Sequence, residues 1–177
     1  MLYTSRYQSP LGAMTMASDG DALVGLWFDG QKYFGSTLLF DAAEKSLPLF
    51  DSVRCWLDVY FSGETPDFLP PIAFIGSNFR CRVWRALMKV NHGETVTYGD
   101  LAKIITDETV GKSMSPQAVG GAVGHNPITI IVPCHRVIGS KGSLTGYAGG
   151  IERKLALLRL EGVDTGKLTV PSKGTAL

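Results

Sequence analysis
The chain has 177 residues, 45% of them apolar and 19% charged, and a net charge of +1. That allows one sizeable domain or two small ones in an ordinary soluble globular composition. No run is long enough for a membrane span and MLYTSRYQSPLG lacks the apolar core of a signal peptide, so a cytoplasmic protein with no membrane partner is expected. Cys55, Cys81 and Cys134 form no CxxC pair and cannot all be bridged, which argues against a disulfide framework and a cysteine zinc site. The charge is uneven. Residues 1–78 hold four Lys/Arg against nine Asp/Glu, whereas residues 79–165 hold eleven against seven. The second half would attract a phosphate backbone, although ordinary surface scatter gives the same balance.

From the N-terminus, LYTSRYQSPLGAMTMASDGDALVGLWF reads as three short strands broken at Ser9-Pro10 and at the hairpin signal Asp19-Gly20. Leu49, Phe50, Val53, Trp56, Leu57 and Tyr60 then recur at helical spacing until Gly63 and Pro66. Within that helix Cys55 reads as a small core residue. A domain boundary falls near Ile75–Asn78. The division expected is an α/β structural domain over 1–76, a mostly helical domain over 77–165 and a flexible tail over 166–177. The fold class is therefore α+β.

The second half opens with a helix capped by Ser77 or Asn78, with Val83, Trp84, Leu87 and Val90 apolar. Thr97 and Asp100 form a capping-box pattern before a short helix that buries Leu101, Ile104 and Ile105. After a loop over Thr106–Ser115, Ser115 and Pro116 start SPQAVGGAVG. The two helices make a helix-turn-helix pattern with an unusually long connection. Ile128–Val132 reads as a buried strand ended by Pro133. GIERKLALLRLEG is a last helix with Ile151, Leu155 and Leu158 inward and Gly162 as its stop.

Two features carry chemistry. In the helix from Gln117 only Val119 and Val123 are bulky and apolar; Ala118, Gly120, Gly121, Ala122 and Gly124 are small. Each helical glycine costs roughly 1 kcal/mol relative to alanine. Either a neighbouring helix packs closely here, or this face meets a nucleic-acid groove. The second feature is PCHR. Cys134 follows a proline and is flanked by His135 and Arg136. Burial is the ordinary fate of a cysteine, but a base and positive charge nearby mark a nucleophile. Neighbours on an extended strand point opposite ways, so His135 would need a water or a turn to reach the thiol. Glu161 sits in the last turn of the final helix, where a carboxylate opposes the helix dipole. It is either an exposed, tolerated charge or held by a cation such as His135. Arg136 is open to a phosphate contact or a structural ion pair. His92 and His125 read as surface residues.

PCHRVIG, with AVGGAVGHNPITIIV before it and GYAGGIERKLALLRLEG after it, resembles the O6-alkylguanine-DNA alkyltransferases over about residues 77–163. The N-terminal half resembles the family in its β-then-helix, ribonuclease H-like plan. The resemblance implies repair of double-stranded DNA by single-turnover transfer of an alkyl group from guanine O6, less readily from thymine O4. It implies minor-groove binding, a flipped nucleotide, a monomer with cooperative assembly on DNA left open, and neither metal nor cofactor. Cys134 would accept the group, His135 deprotonate it through water, Glu161 orient the imidazole and Asn126 brace the turn between helix and active-site strand. Tyr98 would help turn out the nucleotide and protonate guanine, and Tyr147 would line the base pocket. Gln117, Ala118, Gly121 and Ala122 would face DNA. Gln117 stands where well-known members place an arginine, and the loop holding Lys112 is long for the family. A cysteine-free lesion binder, a cysteine hydrolase and a helix-turn-helix regulator are the rival readings.

Overall fold
The computed structural model describes residues 1–38, 41–107 and 114–170. They form two compact units: 1–75 with 127–129, and 76–126 with the chain from 130 onward.

The first unit is a four-stranded sheet with one helix. β1 (Leu2–Ser9), β2 (Gly12–Ser18) and β3 (Leu23–Phe28) are antiparallel neighbours, and β4 (Ala42–Glu44) adds to β1 in parallel, giving the order β3-β2-β1-β4. Both turns use short polar side chains. Ser9 Oγ accepts from Leu11 N at 3.1 Å, and Asp19 Oδ1 accepts from the backbone N–H groups of Asp21 and Ala22 at 3.0 and 2.8 Å. All of β3 is buried. Its outer edge takes two short segments, with bridges to Ile72 and Ile128. Leu26 N donates to Pro127 O at 2.8 Å and Thr129 N to Leu26 O at 2.9 Å. Residues 127–129 thus belong to the first unit, although their position in the chain assigned them to the second.

α1 (Pro48–Phe61) starts with proline in its first turn, where a missing N–H costs nothing, and stops before Gly63 at φ 89°. It buries Phe50, Val53, Trp56, Leu57 and Tyr60, with Trp56 stacked on Tyr60 at 5.5 Å. Cys55 is exposed rather than in the core. It follows Arg54 on the face turned from that stripe, so one residue of helical rotation separates it from Trp56.

The second unit is helical. Its helices are α2 (Asn78–Leu87), α3 (Tyr98–Asp107), α4 (Pro116–Gly124) and α5 (Ile151–Leu160), beside a parallel pair β5 (Val96–Thr97) and β6 (Val137–Ile138). Ser77 caps α2 by accepting from Arg80 N, Thr97 Oγ1 accepts from Asp100 N at the start of α3, and Ser115 caps α4 through Ala118 N. α2, α3 and α4 pack together. Trp84 of α2 is buried and its indole N–H donates to Ala122 O of α4 at 2.9 Å. The connection holding Lys112 lies outside the described residues.

Further expectations change here. Ile128–Val132 is buried but is not a strand. After the bridge at Ile128 the chain turns, with Ile130 at φ 69°. Five apolar residues in a row report burial, and a buried turn needs them as much as a strand does. In α5 the fully buried residues are Lys154, Leu157 and Leu158, while Ile151 and Leu155 are half-buried around Leu144 and Leu158. A buried lysine is invisible to a hydrophobic-periodicity reading. The tail is held at its start, where Thr169 pairs with Ser143; residues 171–177 lie outside the described residues.

Candidate active site
Cys134 is 5% exposed and opens a single 3-10 turn over Cys134–Arg136. Pro133, at φ −83° and ψ 62°, makes an inverse γ-turn closed by Cys134 N donating to Val132 O at 2.8 Å. Arg136 N then donates to Pro133 O at 3.0 Å. The cysteine is therefore set on a tight coil, not at a strand end. The alternation that would point His135 away from the thiol does not apply.

Asn126 lies two residues beyond α4 and is buried. Its Nδ2 donates to Val132 O at 2.8 Å and to Cys134 Sγ at 3.0 Å. One amide thus braces the turn and contacts the sulfur. A hydrogen bond to sulfur favours the thiolate.

His135 is buried, with Nε2 at 2.7 Å from Glu161 Oε1. Glu161 is in turn held by Arg136, which donates through Nε to Oε2 at 2.8 Å and through Nη2 to Oε1 at 2.9 Å. Gly93 N donates to Oε2 at 3.1 Å, so the four acceptor sites of the carboxylate are all engaged. Burial pushes the Glu161 carboxyl up, but the hydrogen bonds of His135 and Arg136 more than offset this and hold it well below the usual carboxylate range. An ionised carboxylate only accepts, so Nε2 carries the imidazole proton and Nδ1 presents a lone pair. Burial, opposed by Glu161 and reinforced by Arg136 and Lys154, keeps the His135 pKa below its ordinary value. A neutral imidazole with its acceptor nitrogen turned from Glu161 has the chemistry to accept a proton. Arg136, whose Nη1 also donates to Val90 O at 2.6 Å, resolves to a structural ion pair.

Tyr98 opens α3, and its hydroxyl donates toward Thr145 O at 3.2 Å and Gly146 O at 3.4 Å. Burial pushes its pKa up to about 12, so it stays a proton donor. Tyr147 is buried with its ring edge-to-face on His135 at 6.5 Å. Cys134, His135, Glu161, Asn126, Tyr98 and Tyr147 therefore converge in the second unit.

The α4 candidates divide. Gln117, Ala118 and Gly121 are exposed. Ala122 is not: it is 3% exposed, because its face of the helix meets Trp84. His92 and His125 are half-buried rather than on the surface, and His125 Nδ1 is 2.7 Å from Gly121 O. Residue patterns missed Lys154, whose Nζ donates to Val137 O and Thr145 O. Its placement beside Leu157 and Leu158 in α5 was the available signal. Among the described residues no group of three or more His, Cys, Asp and Glu could hold a metal, and no helix is long and apolar enough to cross a membrane.

A sheet-and-helix unit is thus followed by a helical unit in which Asn126 bonds the Cys134 sulfur and Glu161 bonds the His135 imidazole. Residues 2–74 match the family model of the 6-O-methylguanine DNA methyltransferase ribonuclease-like domain, and residues 78–163 that of the DNA binding domain. The methylated-DNA–protein-cysteine methyltransferase of Mycobacterium tuberculosis is 42% identical over 161 residues, covering 91% of this chain and 93% of that one. Its Haemophilus influenzae counterpart is 39% identical over 175 residues, covering 98% and 91%. Among solved structures, the M. tuberculosis O6-methylguanine methyltransferase superposes with a TM-score of 0.77 at 40% identity, over 98% of this chain and 97% of that one. The M. tuberculosis OGT in complex with DNA gives 0.78 at 41% identity, over 90% and 92%. The chain belongs to the 6-O-methylguanine DNA methyltransferase family, the methylated-DNA–protein-cysteine methyltransferases of DNA repair.

Proposed function
We propose that the protein takes a methyl or larger alkyl group from guanine O6 in double-stranded DNA, and less readily from thymine O4, onto Cys134. The observation that carries this reading is the Cys134 sulfur held at 3.0 Å by Asn126, next to an imidazole fixed by Glu161 at 2.7 Å. The thiol proton passes through one water to His135 Nδ1. The sulfur attacks the alkyl carbon; the S–C bond forms as the C–O6 bond breaks, and its electron pair stays on guanine. Tyr98 protonates the departing base and is reprotonated from the imidazolium through solvent. The net change moves one alkyl group from oxygen to sulfur and one proton from sulfur to guanine. A thioether is not reversed by these groups, so each chain acts once.

Guanine O6 inside a duplex is out of reach of a buried thiol, so the nucleotide must leave the stack. The outer face of α4 supports entry from the minor groove. A Cβ added at Gly121 or Gly124 would meet no described atom within 4 Å, so packing within the protein does not explain glycine there. Close approach to a sugar-phosphate wall does. Gln117, exposed at the start of the helix, would hydrogen-bond the orphaned base without the charge of an arginine.

Incubation with duplex DNA labelled in an O6-methyl group should leave one label per chain, on Cys134. Cys134→Ala should be inactive, while Cys55→Ser and Cys81→Ser should remain active. Continued turnover, or label on another residue, overturns the reading.

A further inference from the structure
Past α5 the chain turns at Gly162, and the next residues are tied down in sequence. Val163 N donates to Leu158 O at 2.9 Å. Asp164 Oδ1 accepts from Gly166 N at 3.1 Å and so caps a single 3-10 turn over Thr165–Lys167. Arg159 Nε of α5 donates to Thr165 Oγ1 at 3.1 Å. Leu168 packs against the cluster of Ile138, Leu144 and Leu158. Thr169 then closes this segment onto a distant one. Its N–H donates to Gly142 O at 3.0 Å and its carbonyl accepts from Leu144 N at 2.8 Å, a parallel bridge opposite Ser143. Gly142 makes the approach possible. It sits at φ 74°, and a Cβ there would lie 2.9 Å from Lys167 O.

The segment that Thr169 grips leads into the site. Thr145, next after Leu144, offers the carbonyl that accepts from Tyr98 Oη at 3.2 Å and from Lys154 Nζ at 2.8 Å. A Cβ at Gly146 would lie 3.2 Å from the same tyrosine hydroxyl. Tyr147 follows, with its ring edge-to-face on His135. Residues 143–147 are therefore held by the backbone of Thr169 at one end and by the Tyr98 and Lys154 side chains in the middle.

We propose that residues 164–170 form a strap that positions the loop 143–147 for alkyl transfer, with Thr169 as the positioning residue acting through its backbone. The proposal rests on the reading of Cys134 as the acceptor. Without the strap, the loop is free to carry the Thr145 carbonyl away from Tyr98 and the Tyr147 ring away from His135. A misplacement of about 1 Å in a site can cost about 10²-fold in rate. DNA affinity, which that reading assigns to α4, is a separate quantity and should not move.

The test uses the full chain. Thr169→Pro removes the N–H that reaches Gly142 O. Leu168, at φ −93° and ψ 142°, already has the conformation that a following proline requires. Single-turnover transfer from an O6-methylguanine duplex at saturating DNA should slow about tenfold or more, while the duplex concentration giving half the limiting rate stays within about twofold. Thr169→Ala restores the N–H and should return the limiting rate to that of wild type. The amides of residues 143–147 should exchange with solvent faster in Thr169→Pro than in wild type or Thr169→Ala. A folded Thr169→Pro with an unchanged limiting rate or unchanged exchange overturns the proposal. So does a loss carried wholly by DNA affinity, or one shared equally by Thr169→Ala. If Thr169→Pro does not fold, Leu168→Ala, which loosens the strap at its apolar anchor, is held to the same rate, affinity and exchange outcomes. If the wild-type chain takes no label from the duplex, the function reading fails, and the exchange arm still decides whether Thr169 holds the loop.

Discussion

Glu161 shows what one residue can settle. At the C-terminal end of α5 it is badly placed for the helix dipole, and that misplacement was the sequence sign that something holds it. The groups that hold it are the neutral imidazole of His135 and the guanidinium of Arg136, 26 and 25 residues earlier in the chain. A sequence reading could pair the glutamate with the histidine but left Arg136 between a phosphate contact and an ion pair. Only the fork of two guanidinium bonds decides it. Glu161→Gln removes the charge under both partners. It should cost about 3–5 kcal/mol in urea unfolding, the usual penalty for breaking one side of a buried pair. It should also slow single-turnover transfer by roughly 10²-fold, because Nδ1 would no longer be fixed as the acceptor. Unchanged stability and rate would remove Glu161 from the relay. Cys55 teaches the opposite lesson. One position of rotation on α1 puts it outside, and no composition argument distinguishes that from core burial.

At the scale of elements, α4 was legible in its caps and anchors. Ser115, Pro116, Val119 and Val123 do what their types require. The glycines were ambiguous between protein packing and DNA approach, and the space around them differs. A Cβ at Gly120 would lie 3.6 Å from the Tyr98 ring, an ordinary contact, whereas at Gly121 it would face open space. Gly121→Ala should therefore raise stability by about 1 kcal/mol in the free protein, as alanine does in an exposed helix interior. The same change should weaken binding to duplex DNA. A stabilised variant with unaltered affinity would place DNA elsewhere. The oily segment before Cys134 was less legible. A strand and a buried turn draw on the same residues, and φ 69° at Ile130 has no sequence signature.

For the whole molecule, buried ionisable groups make stability depend on pH in a stated direction. His135 resists its proton in the folded state and accepts it readily when unfolded, so stability rises with pH where the unfolded chain binds that proton and the folded chain does not. Glu161 is ionised when folded; its contribution is present above the ordinary carboxylate range and is lost as pH falls below it. Both act in one direction. Unfolding free energy measured by urea should fall from pH 7.5 to pH 5, with a slope of up to about 1.4 kcal/mol per pH unit for each uncompensated proton. His135→Gln should flatten the upper part of that slope; an equally steep profile in the variant would assign the dependence elsewhere. The same chain shows how far sequence reaches. Order of elements, caps, the α+β class and the suspicion attached to Cys134 followed from local residue patterns, because periodicity, turn chemistry and motif spacing are local properties. The membership of residues 127–129 in the first unit, the inward face of Ala122, the Arg136–Glu161 fork and the buried ammonium of Lys154 were decided only by tertiary structure. Each depends on which distant groups share a low-dielectric interior, where a charge or a backbone donor must find its partner or pay in stability.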